Sequence, residues 1–168
     1  CLAGQHVLIT SGPTHEPIDP VRYIANRSSG KQGHALAAAC AANGARVTLV
    51  SGPVSLPDPP GVTVVRVNTA RQMHAACQDS LPADIAICAA AVADWHVDNE
   101  TTSKQKKNNA GAPDIQLAEN PDILASLSTA DNRPSLVIGF AAETDELIAN
   151  AQKKRVRKGC DWIIANHI

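Results

Sequence analysis

Arg22 and Asn26 stand close together in a proline-punctuated segment, Asp19-Pro-Val-Arg-Tyr-Ile-Ala-Asn-Arg27. A guanidinium offers a planar fork to a carboxylate or phosphate, and a carboxamide offers a neutral donor to a developing oxyanion. Taken singly, each also suits a solvated turn. Ser28-Ser-Gly-Lys-Gln-Gly33 follows and opens a helix. Free N–H groups and the helix dipole there favour an anion, while the same glycines would serve ordinary helix–sheet packing. Further on, Ala89-Ala-Ala-Val-Ala-Asp-Trp95 joins tiny side chains, which admit a planar ligand to the backbone, to the carboxylate of Asp94. Its plainer reading is alanine under a crossover helix and Asp94 at a turn. Lys104-Gln-Lys-Lys107 is either a solvated charge run or a mobile cation that closes over a polyphosphate. Lys154 and Lys158 fall one helical turn apart in a basic run at a helix end, where cations complement the dipole and share a face.

Several chemistries are disfavoured. The six histidines have neither H-x-x-x-H nor H-E-x-x-H spacing, so no metal-ligating residues are assigned. No G-x-S-x-G elbow occurs. Gly30 and Gly33 match neither the phosphate-loop nor the dinucleotide spacing, and the second strand ends in Val50-Ser-Gly-Pro53 with no acid for a ribose. That weighs against an NAD(P)-dependent reductase, which stays as an alternative. The chain has 168 residues and a net charge of −1, with 2% aromatics, which fits one domain and disfavours nucleic-acid or membrane-surface binding. It shows neither a long apolar run nor a signal-peptide pattern, so a cytoplasmic setting is expected. Five widely spaced cysteines without a C-x-x-C pair suggest free thiols in a reducing compartment.

The elements that must position these residues alternate. Apolar strands are expected over 6–10, 46–50, 62–67, 84–91, 135–141 and 161–165. Helices are expected over 29–43, closed by Gly44, over 69–80 with a Thr69/Gln72 capping box, over 122–129 with Asn120 as N-cap, and over 145–158. Continuously apolar strands separated by helices predict an α/β fold: a doubly wound, Rossmann-like, mostly parallel sheet with helices on both faces. Residues 11–27 and 95–112 break the pattern and are expected to be long functional loops at the carboxyl ends of strands.

Six motifs together resemble the bacterial phosphopantothenoylcysteine synthetase domain, the CTP-dependent phosphopantothenate–cysteine ligase of the bifunctional coenzyme A biosynthesis protein. They are the segment from Ser11 to Lys31, Ala90-Ala-Val-Ala-Asp-Trp95, the cluster from Lys104 to Lys107, Asn120-Pro-Asp-Ile-Leu124, Val137-Ile-Gly-Phe-Ala-Ala-Glu-Thr144 and Lys154-Arg-Val-Arg-Lys158. The resemblance spans residues 4–168 in the family's order. It implies that CTP, with Mg²⁺, activates 4′-phosphopantothenate as an acyl-cytidylate, and that L-cysteine then displaces CMP. It places nucleotide binding at Cys88, Ala89, Ala90, Asp94, Lys104, Pro121, Asp122, Ile123, Leu124, Phe140, Lys154 and Lys158. It places the acyl-cytidylate and substrate phosphate at Arg22, Asn26, Gly30 and Lys31, with Asn26, Lys104 and Arg22 as the catalytic set. It also implies a homodimer for the full-length enzyme and a fused FMN-dependent decarboxylase domain outside these residues. The family's chain continues past Ile168, so one domain, truncated at its C-terminus, is expected over 1–168; a non-catalytic nucleotide-binding fragment is the other alternative.

Overall fold

Six buried or half-buried β-rich runs form one parallel sheet. The computed structural model describes residues 1–106 and 114–167. The sheet strands are β1 (His6–Ser11), β4 (Arg46–Ser51), β5 (Val62–Arg66), β6 (Ile85–Cys88), β9 (Leu136–Glu143) and β10 (Trp162–His167). Two short ribbons lie beside it: β2 (His15–Pro17) with β3 (Tyr23–Ala25), and β7 (Trp95–Val97) with β8 (Leu117–Glu119). The helices are α1 (Lys31–Ala42), α2 (Ala70–Asp79), α3 (Ile123–Thr129) and α4 (Leu147–Lys158).

The sheet runs β10-β9-β6-β1-β4-β5, with every pair parallel. Numbered among themselves, these strands have the doubly wound order, with a switch point between β1 and β6, where the two halves of the chain wind away in opposite directions. All six residues of β1 are buried, as a central strand covered on both faces requires. Val7 and Ile9 face a core shared with Ala37 of α1, Val47 and Leu49. Leu8 faces the other core, with Met73 and Cys77 of α2 and Leu124 and Leu127 of α3. α4 packs beside α3 against β9 and β10.

Local signals explain the helix ends. Thr69 caps α2 in a reciprocal box: its hydroxyl accepts from Gln72 N–H while the Gln72 side chain accepts from Thr69 N–H. The cap of α3 is Asp122, whose Oδ1 accepts from Ala125 N–H at 3.0 Å, and not Asn120 as expected. Asn120 is instead drawn to the preceding segment, donating its side-chain N–H to Ala93 O at 2.9 Å and its backbone N–H to Asp94 O. α4 starts at Leu147 because Glu146 is left-handed, at φ 45°.

The expected loops are not plain: 11–27 supplies both strands of one ribbon, and 95–112 begins with β7, whose partner β8 lies beyond that range. Expected strand 84–91 stops at Cys88. Beyond it the chain still tracks the chain after β1, through Ala89 N–H to Thr10 O, Ala91 N–H to Gly12 O and Ala93 N–H to Thr14 Oγ1. Of the expected basic loop, Lys107, Asn108 and Asn109 lie outside the described residues.

Candidate nucleotide and substrate cleft

The switch point leaves a crevice at the carboxyl ends of β1 and β6, the place where open α/β sheets bind ligands. A cleft of about 450 Å³ opens there. Thr10 and Cys88 form its floor, the segment from Ala90 to Trp95 one wall, Glu119 to Leu124 another, and Phe140, Lys154 and Lys158 the far side. Every residue expected to bind the nucleotide lies on it except Ala89 and Lys104. Thr10, Glu119 and Asn120 were missed from sequence, although a polar residue closing an apolar strand was a usable signal for Thr10.

The alanine wall offers a ligand little backbone N–H. The N–H groups of Ala89, Ala90, Ala91 and Ala93 are all engaged, by Thr10 O, Thr10 Oγ1, Gly12 O and Thr14 Oγ1. A ligand there would meet small side chains that supply clearance rather than those four donors.

Both helix lysines are already engaged. Lys154 Nζ donates to Phe140 O at 2.8 Å, and burial holds its ammonium below the usual lysine range. Lys158 pairs with the Asp122 carboxylate. Burial pushes that carboxyl up, but the Lys158 ammonium and the Ala125 N–H pull it further down, leaving it below the ordinary value. Burial pushes the Cys88 thiol far up, so it stays protonated at neutral pH and is no nucleophile.

Of the second set of expected residues, Asn26, just past the β2–β3 ribbon, meets the cleft's edge, while Arg22, Gly30 and Lys31 stand off it. Asn26 is exposed and donates Nδ2–H to Val92 O at 3.0 Å, on the cleft's rim. Arg22 does not line the cleft; it opens on a separate hollow of about 640 Å³ beside His15, Tyr23 and Arg71. It is fastened to Asp19 and donates to Gln105 O at 3.0 Å, next to the exposed Lys104. Gly30 caps α1 in the left-handed region at φ 73°, with no side-chain cap on the helix. A Cβ at Gly30 would lie 2.7 Å from Val54 Cγ1, and one at Gly33 would lie 2.5 Å from Ser11 Oγ. These glycines therefore let α1 dock on β1, and the uncapped N-terminus stands beside Lys31. Among the described residues no three His, Cys, Asp or Glu side chains cluster as a metal cage. No helix among them is long and apolar enough to cross a membrane.

Known proteins share this sequence and architecture. The chain is 48% identical over 166 residues to the coenzyme A biosynthesis bifunctional protein CoaBC of Escherichia coli strain K12, covering 97% of this chain and 41% of that protein. It is 45% identical over 178 residues to CoaBC of Mycobacterium tuberculosis strain H37Rv, covering 99% and 43%. The chain thus spans about two-fifths of the length of the curated relatives it matches. The crystal structure of the C-terminal domain of a CoaBC protein superposes with a TM-score of 0.83 at 41% identity, covering 98% of this chain and 78% of that one. Residues 2–168 match the DNA/pantothenate metabolism flavoprotein C-terminal domain, and the chain belongs to that family.

Proposed function

We propose that the chain is a phosphopantothenate–cysteine ligase domain using CTP. The observation that carries this is the convergence of Cys88, Asp94, the Pro121–Leu124 turn, Phe140, Lys154 and Lys158, from separate elements, on one cleft at the sheet's switch point. A carboxylate oxygen of 4′-phosphopantothenate attacks the α-phosphorus of CTP, and pyrophosphate leaves. The amine of L-cysteine then attacks the acyl carbon, loses a proton, and CMP departs. No side-chain nucleophile is needed, in keeping with a protonated Cys88.

The residues divide this work. Lys154 and Lys158 exchange Phe140 O and Asp122 for phosphate oxygens. A partly desolvated ammonium gains more from an arriving phosphate than a solvated one. Lys104 adds charge where the non-bridging oxygens become more negative. Asn26 uses one Nδ2 proton on Val92 O and has a second for the tetrahedral oxyanion. The α1 N-terminus with Gly30 and Lys31 suits the substrate phosphate, and Arg22 suits an anion nearer the Lys104 loop. Mg²⁺ is commonly held by one or two carboxylates plus substrate phosphates, and Asp94, Glu119 and Asp122 on the cleft fit that pattern. Bound there, it would neutralise phosphate charge.

The test is pyrophosphate release from CTP on adding 4′-phosphopantothenate, with ATP as control and Lys104→Ala beside it. Release with CTP that drops on the order of 10²–10³-fold in the variant is expected. Nucleotide binding without release would favour a non-catalytic nucleotide-binding domain, and no binding of either nucleotide would end the ligase reading.

A further inference from the structure

Asp19 binds two segments of chain at once. It is 3% exposed, and its two carboxylate oxygens have different partners. Oδ1 accepts the N–H groups of Val21 and Arg22, each at 2.9 Å, and so closes the local turn. Oδ2 accepts from the Arg22 guanidinium, with Nε at 3.1 Å and Nη2 closer still. The same Oδ2 accepts Gln105 N–H at 3.1 Å, from 86 positions away. Arg22 Nη2 donates onward to Gln105 O at 3.0 Å, and Thr101 N–H donates to Ile18 O at 3.2 Å. The Gln105 backbone is therefore held at both its N–H and its C=O by one ion pair. Its side chain is also seated inward, with Oε1 buried and unpartnered. Lys104 is the adjacent residue.

Resting on the ligase reading, we infer that Asp19 is a positioning residue for the activation step: through Oδ2 it fixes the loop carrying Lys104 against the segment carrying Arg22 and Asn26. A buried carboxylate is retained only where donors satisfy it, and here five N–H groups from two segments do so. The Arg22 guanidinium holds this carboxyl well below the usual range, so the clasp stays charged at neutral pH. Two groups proposed to act on one reaction are thereby held in register by a third that touches neither substrate.

The division between the oxygens supplies the test. In Asp19→Asn the amide oxygen keeps the turn, while the amide nitrogen replaces Oδ2 and meets three donors, Arg22 Nε, Arg22 Nη2 and Gln105 N–H. Amide hydrogen exchange over 101–106 is expected to quicken roughly 10- to 100-fold, the loss of a charge-assisted hydrogen bond, with α2 unchanged. Pyrophosphate release is expected to fall roughly tenfold or more in the wild-type background and not to fall further in Lys104→Ala, as residues acting through one another are non-additive. Unchanged exchange over 101–106 overturns the inference, as does an Asp19→Asn loss that multiplies in full onto Lys104→Ala. A wild-type chain that releases no pyrophosphate instead fails the ligase reading, and the exchange result then still decides whether Asp19 holds the loop.

Discussion

Lys158, proposed to meet a phosphate, is already occupied in the free protein. Its partner Asp122 caps α3 through one oxygen and holds the ammonium through the other. The pair is partly exposed, so it stabilises the fold by at most about 1 kcal/mol. A phosphate contact in the cleft is worth more, about 1.5–3 kcal/mol for a charge-assisted bond. Lys158→Ala should therefore leave the unfolding midpoint nearly unchanged while weakening CTP binding roughly 10- to 100-fold, with a flatter salt dependence by calorimetry. Unaltered CTP affinity would remove Lys158 from the phosphate set. The shared face of Lys154 and Lys158 was legible from helical spacing alone. The role of Asp19 was not, because an acid before a proline looks the same whether its carboxylate faces water or a distant backbone. Asn120 misled for a related reason: Asn120 and Asp122 both suit an N-cap, and only contact with Ala93 and Asp94 decides between them.

The central sheet strands were legible because burial on both faces writes a continuous apolar run, while the half-exposed edge strands β5 and β10 were legible from their β-branched and apolar residues. The ribbons were not, since strands of three residues with mixed exposure carry no periodicity. Yet the ribbons bring Asn26 to the cleft's rim and Arg22 to Gln105, so the illegible elements carry half the proposed chemistry. The cleft wall itself depends on a packing detail of β9. Gly139 lies under α3, where an added Cβ would stand 2.6 Å from Leu124 Cδ2 and 2.8 Å from Ile163 Cδ1. Leu124 lines the cleft, so an intruding methyl moves the wall as well as the core. Overpacking of this kind costs about 1–3 kcal/mol. Gly139→Ala should lower the unfolding free energy by that much, read as a lower denaturant midpoint, and also weaken CTP binding. A stable variant with wild-type affinity would show that Leu124 can yield without disturbing the cleft.

Across the whole molecule, buried or ion-paired carboxylates tie neighbouring segments together at both ends of the parallel sheet. Asp19, Asp122 and Asp161 are all held below the ordinary carboxylate value of 3.8. For Asp161 the largest cause is the Val137 N–H, which donates to Oδ2 at 2.7 Å; burial opposes it, and Arg133, whose Nη2 lies 2.8 Å from the same oxygen, adds to it. This carboxylate joins the chain entering β10 to the start of β9 and to the turn after α3. A carboxyl with a lower pKa folded than unfolded stabilises the fold fully above its unfolded value. That contribution fades as pH falls below about 5 and is gone once the folded form is protonated. Acid should therefore destabilise the protein, and Asp161→Asn isolates one share of the effect. At pH 7 the variant should melt below wild type; as acid protonates folded Asp161 the two should converge, because protonated Asp161 and asparagine then offer the same uncharged acceptor. Melting temperatures of both proteins from pH 7 down to the lowest pH at which they fold measure this. A gap that stays constant over that range would mean that Asp161 acts through shape and hydrogen bonding alone, with its charge contributing nothing to the union of β9 and β10.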